Sequence, residues 1–71
     1  MDHREWLTRY ADALGLPHPA DAEIEAVLAL AAEAAHASER PAAPVACWLA
    51  ARAGVDPGRA LETAKGLTAG P

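Results

Sequence analysis

From Asp21 to Gly54 the chain reads DAEIEAVLALAAEAAHASERPAAPVACWLAARAG: an alanine-rich stretch of helical pattern, a break at Glu39-Arg40-Pro41-Ala42-Ala43-Pro44, and an apolar stretch carrying Cys47 and Trp48. In the first stretch Ile24, Val27, Leu28, Ala31, Ala34, Ala35 and Ser38 recur on one helical face. The large side chains of that face lie in its N-terminal half, and the C-terminal half offers only alanine and serine, so another helix can approach closely there. Asp21 is placed to cap this helix, with Glu23 and Glu25 near the positive end of its dipole. Arg40 precedes a proline and is biased away from helical angles, so the helix is expected over residues 21–38. Pro44 suits the first position of the next helix, expected over 44–53. That helix has Arg52 as its only charge. A helix apolar nearly all round is usually buried, so it is expected in the middle of the fold with Trp48 in the core.

Working outward, Asp2 precedes Trp6, Leu7, Tyr10, Ala13 and Leu14 at helical spacing, and Gly15 followed by Leu16 and Pro17 has the composition of a left-handed helix stop. A helix over 3–14 follows, then a stiff connector, Pro17-His18-Pro19-Ala20. Beyond Gly54, Asp56-Pro57 is a cap and first position for a fourth helix, expected over 57–66 and ended by Gly66 or by the Gly70-Pro71 tail. No strand pattern or repeat is present. The expected fold is all-α: a single domain over residues 1–71, a small orthogonal bundle of about four helices.

Of the 37 hydrophobic residues among 71, 20 are alanine, which leaves 15 large apolar or aromatic residues besides Met1 and Cys47. A chain of this size buries only about 60% of its unfolded surface. So thin a core implies a partner surface or a homo-oligomer. The net charge of −4 arises from ten acids dispersed among six bases. Phosphate recognition needs a clustered basic face, so nucleic-acid binding is disfavoured. One cysteine excludes an internal disulfide and the multi-cysteine zinc patterns. The charged opening Met1-Asp2-His3-Arg4-Glu5 is unlike a secretory signal, and no apolar run approaches the roughly 18 residues of a membrane span. A cytoplasmic location is expected.

Residues able to carry chemistry are few. His3, His18, His36 and Cys47 lack the spacing that places two ligands on one helix face, so neither a metal nor a cofactor is expected. Cys47 lies in the expected first turn of its helix, where a dipole activates a thiol, yet an apolar setting makes the same residue an inert core group. Phosphate loops, dinucleotide fingerprints and nucleophile elbows are absent. Ser38 is the only serine and sits inside a helix pattern, which disfavours a carrier protein. Arg40 has two readings: it fixes the proline turn by bonding the last helical carbonyls or an acid, or it presents a guanidinium to a partner's phosphate or carboxylate.

Glu5-Trp6-Leu7, Ala13-Leu14-Gly15-Leu16, Val27-Leu28-Ala29-Leu30-Ala31 and above all Ala35-His36-Ala37-Ser38-Glu39-Arg40-Pro41-Ala42-Ala43-Pro44 resemble a small family of unknown function from high-GC bacteria. Its members occur alone or appended to MobA-like guanylyltransferases of molybdenum-cofactor synthesis. The likeness covers about residues 5–54, and Val45-Ala46-Cys47-Trp48 departs from the hydroxyl-rich stretch expected after the second proline. The resemblance implies association with molybdopterin-guanine-dinucleotide biosynthesis and brings no activity with it; with no active site assembled in the sequence, the expected role is a non-enzymatic accessory or protein-interaction module, with a MobA-like nucleotidyltransferase as partner. His36, Arg40, Pro41 and Pro44 form the expected partner-binding surface. The alternatives are a small-ligand or cofactor-binding module using His36, Arg40 and Trp48, and a cysteine-dependent enzyme.

Overall fold

The computed structural model describes residues 1–69. It contains four helices, α1 (His3–Leu14), α2 (Asp21–Ala37), α3 (Ala42–Ala53) and α4 (Pro57–Ala69), and no strand among the described residues. The all-α fold expected from capping and periodicity is the fold observed.

Most helix ends follow their predicted chemistry. The Asp2 carboxylate accepts from the Glu5 amide at 2.8 Å, and the Asp56 carboxylate accepts from the Arg59 amide at 3.0 Å. Each satisfies one of the amides that a helix start leaves without an internal partner. Gly15 ends α1 at φ 73°, with the Leu16 amide folded back to the Ala11 carbonyl at 2.9 Å; Gly54 ends α3 at the same φ. A side chain at either position would be strained in this left-handed region.

Three boundaries differ from expectation. Ala20, not Asp21, is the N-cap of α2, and the Glu23 carboxylate reaches back to accept from the Ala20 amide at 2.7 Å. Asp21, released from capping, pairs with Arg4 of α1. Helix α3 starts at Ala42, two residues before Pro44. Its first-turn amides have no helical partner in any case, so a proline inside that turn forfeits no bond. Helix α4 passes through Gly66 as far as Ala69, because nothing there requires a left-handed conformation. The alternative stop at Gly70-Pro71 lies outside the described residues.

Helix α2 is the centre of the molecule, and α3 and α4 both pack along it. The expectation that α3 occupies the middle, with Trp48 in the core, is corrected: no residue of α3 is buried, and Trp48 is 57% exposed. The face of α3 with partial burial is Ala42, Ala43, Ala46, Cys47 and Ala50, so its small side chains turn inward. Val45, Trp48 and Leu49 are exposed. Small side chains let two helix backbones come close, and that gain in close contact ranks against burying one large ring. The Trp48 ring is instead covered by Arg52, whose guanidinium carbon lies 4.9 Å from the ring centroid.

Helix α1 has no comparably close packing with another helix. The Arg4–Asp21 ion pair ties it to α2, His18 on the connector meets Asp12 at 2.8 Å, and Trp6 stacks on Tyr10 with centroids 4.9 Å apart. Among the described residues the buried hydrophobic ones are Ala11, Ile24, Leu30 and Ala60.

Leu30 at 4% exposure and Trp48 at 57% define opposite sensitivities. Leu30→Ala is expected to cost about 2–5 kcal/mol, enough to unfold most of so small a domain. Trp48→Ala is expected to cost only about 1 kcal/mol, chiefly the lost cation–π contact. Thermal melts followed by far-ultraviolet circular dichroism separate the two, since about 1 kcal/mol shifts Tm by roughly 4–8 °C in a domain of this size.

Candidate functional site

The α2–α3 turn carries the residues singled out by sequence. His36 occupies the last turn of α2, Arg40 precedes the turn, and Pro41 and Pro44 flank Ala42 and Ala43; His36, Arg40, Pro41 and Pro44 are all exposed. Backbone bonds close the turn: the Ala42 amide donates to the Glu39 carbonyl at 2.9 Å and the Ala43 amide to the Arg40 carbonyl at 3.1 Å. Among the described residues, the Arg40 side chain makes no hydrogen bond or ion pair, so the reading in which its guanidinium fixes the turn finds no contact to act through. Locked φ angles at two prolines and two backbone bonds make the turn rigid. It presents an exposed imidazole and guanidinium from a rigid backbone. Trp48, grouped with His36 and Arg40 in the ligand-binding alternative, is engaged by Arg52 one turn further along α3.

Cys47 lies at a smaller recess of about 220 Å³ that Val27, Leu30, Ala50 and Val55 also line. Its thiol points to the Val27 carbonyl at 3.9 Å, a weak donor contact, and burial pushes the thiol pKa up. No cationic side chain lines the recess. Every factor that would generate a thiolate is therefore missing from its surroundings, and burial opposes one. Among the described residues no three histidine, cysteine or carboxylate side chains come together as a metal site, and no helix is long and apolar enough to cross a membrane.

A larger concavity, a groove of about 630 Å³, lies between α1 and α2, open to solvent and almost wholly apolar. Trp6 and Leu7 supply one wall, Ile24, Val27 and Leu28 the other, and His3, Pro19 and Glu23 the ends. The sequence pattern places Trp6, Leu7, Ile24, Val27 and Leu28 on the apolar faces of their helices. The signal that they line an open groove was the double proline of Pro17-His18-Pro19, which holds the two helices apart, together with the shortage of large residues to fill the gap.

A family model for a domain of unknown function, DUF6457, matches residues 1–70. The chain belongs to this family. The membership expected from the resemblance, in a family of unknown function, is thus established. No curated protein and no solved structure matches the chain.

The chemistry of Cys47 is testable directly. A thiol whose pKa is raised carries less thiolate at neutral pH than a free cysteine, and only the thiolate is nucleophilic. Native protein at pH 7 is expected to react with a chromogenic disulfide reagent several-fold more slowly than the urea-unfolded chain. Native labelling as fast as that of a free thiol would restore the enzyme reading.

Proposed function

We propose that this domain is a non-enzymatic protein-interaction module that serves molybdenum-cofactor biosynthesis by binding a MobA-like nucleotidyltransferase. The observation that carries the interaction reading is the exposure of large apolar side chains: Trp6, Tyr10, Leu14, Leu28, Val45, Trp48 and Leu49 are each about half exposed or more, in a domain whose buried core is four residues. Apolar exposure on this scale relative to the core is characteristic of a surface that another molecule covers. The link to the cofactor pathway comes from the resemblance over residues 5–54, concentrated in the segment from Ala35 to Pro44. That segment forms the rigid turn bearing His36 and Arg40, which loses little conformational entropy on docking. A cysteine-dependent activity has little support, given the apolar surroundings and raised pKa of Cys47.

Isothermal titration of the domain into a purified MobA-like nucleotidyltransferase from the same source tests this reading. A complex is expected at concentrations of order 100 μM or below. Because the Arg40 side chain is exposed and makes no hydrogen bond or ion pair among the described residues, Arg40→Ala is expected to weaken the complex about tenfold or more while leaving Tm within about 2 °C of the parent. Absence of both heat and a co-eluting complex in gel filtration rejects the partnership.

A further inference from the structure

We propose that the groove between α1 and α2 is a docking site for an amphipathic helix with a basic flank, supplied by a protein partner. The proposal rests on the interaction-module reading only in taking the partner to be a protein; it does not depend on which enzyme is bound. Ile24, Val27 and Leu28 occupy positions i, i+3 and i+4 along one wall, and Trp6 and Leu7 face them from the other. Such a trough accepts a row of apolar anchors from a helix laid along it. A volume of about 630 Å³ is also large enough for a small molecule, but specific ligand sites add convergent polar groups. Here the Glu23 carboxylate is already engaged by the Ala20 amide, which leaves the His3 imidazole and the Trp6 indole N–H as the polar side-chain groups of the lining without a hydrogen bond among the described residues.

Area supports an occupant of protein size. The accessible surface is 5360 Å² for a chain of 7.3 kDa, against roughly 4,200 Å² for a typical folded monomer of that mass. The excess of roughly 1,200 Å² exceeds the approximately 800 Å² that each partner contributes to an interface of standard size. The radius of gyration, 12.8 Å, is likewise larger than the roughly 11 Å expected for 71 residues.

Charge identifies the occupant. Residues 1–28, which supply both walls of the groove, hold six acids, Asp2, Glu5, Asp12, Asp21, Glu23 and Glu25, against Arg4 and Arg9, a net −4. Residues 29–71 hold four acids and four bases, a net of zero. The entire net charge of the chain therefore belongs to the groove-bearing part, and the Arg4–Asp21 pair within it cancels and leaves that balance unchanged. A second copy would bring −4 against −4, and an anionic membrane would be repelled in the same way. A helix with lysine or arginine beside its apolar stripe is attracted, and its association is steered.

Three synthetic peptides of about 18 residues test this, long enough for two or more sets of anchors. One carries a leucine stripe flanked by lysine, the second replaces every lysine by glutamate, and the third scrambles the stripe of the first. Binding to the full chain carrying Trp48→Phe is read from Trp6 fluorescence and by calorimetry. The lysine peptide is expected to bind with Kd of order 100 μM or tighter, at least about tenfold better than the other two, and to weaken as salt is raised. Leu28→Glu should reduce its affinity about tenfold or more, and the Glu5→Gln, Glu25→Gln pair, which leaves the apolar walls intact, should shrink the gap between lysine and glutamate peptides. Equal affinity for both charged peptides, no binding of any, or sedimentation as a dimer that quenches Trp6 and excludes the peptide would overturn the proposal, as would preferential binding of anionic vesicles. If the peptide binds and the nucleotidyltransferase does not, the cofactor reading fails alone; if the enzyme binds and the peptide does not, the groove assignment fails alone.

Discussion

Among the described residues helix α2 is the only element that buries large side chains, Ile24 and Leu30, and α3 and α4 are positioned by how they pack along it. In a chain with 15 large apolar residues besides Met1 and Cys47, burial is the scarce quantity. Helix α3 turns its small side chains inward, and Ala60 is the buried residue of α4, with Leu61 and Ala64 half-buried beside it. Close backbone approach replaces the interlocking of large groups as the source of contact, through many weak dispersion terms.

That solution has a consequence for function. Alanine on the inner face of α3 sends Val45, Trp48 and Leu49 outward, and a short proline-bounded connector leaves Trp6, Leu7 and Leu28 lining an open groove instead of a closed core. The same residues that would have stabilised a larger domain stay at the surface, where the proposed recognition would use them. Two such surfaces are separated by the length of α2: the groove at its N-terminal half and the rigid turn with His36 and Arg40 at its C-terminal end. Their electrostatics differ, since the groove lies in the acidic segment and the turn bears the cation Arg40 and the imidazole of His36.

Cys47 illustrates how environment decides chemistry. Helix α3 begins at Ala42, so Cys47 lies in its second turn and not in the first as expected, and its side chain turns toward α2 and an apolar recess, where desolvation disfavours the charged form. A helix start lowers a thiol pKa only when the sulfur faces the free amides, and here it faces the Val27 carbonyl.

Sequence by itself determined the number and approximate extent of the helices, the left-handed stops at Gly15 and Gly54, the caps at Asp2 and Asp56, the exposed proline turn and the acidic balance, because each rests on local backbone chemistry or composition. The tertiary structure alone decided which face of α3 is inside, which helix is central, and that the apolar stripes of α1 and α2 border a groove. Periodicity reports that a helix has an apolar side but not whether large or small residues of an all-apolar helix turn inward; that choice depends on the surface across from it, here the alanine face of α2. The cap of α2 escaped for the same kind of reason: Asp21 has the composition of a cap, but it is drawn into an ion pair with Arg4, a residue 17 positions away that becomes a neighbour only when the chain folds.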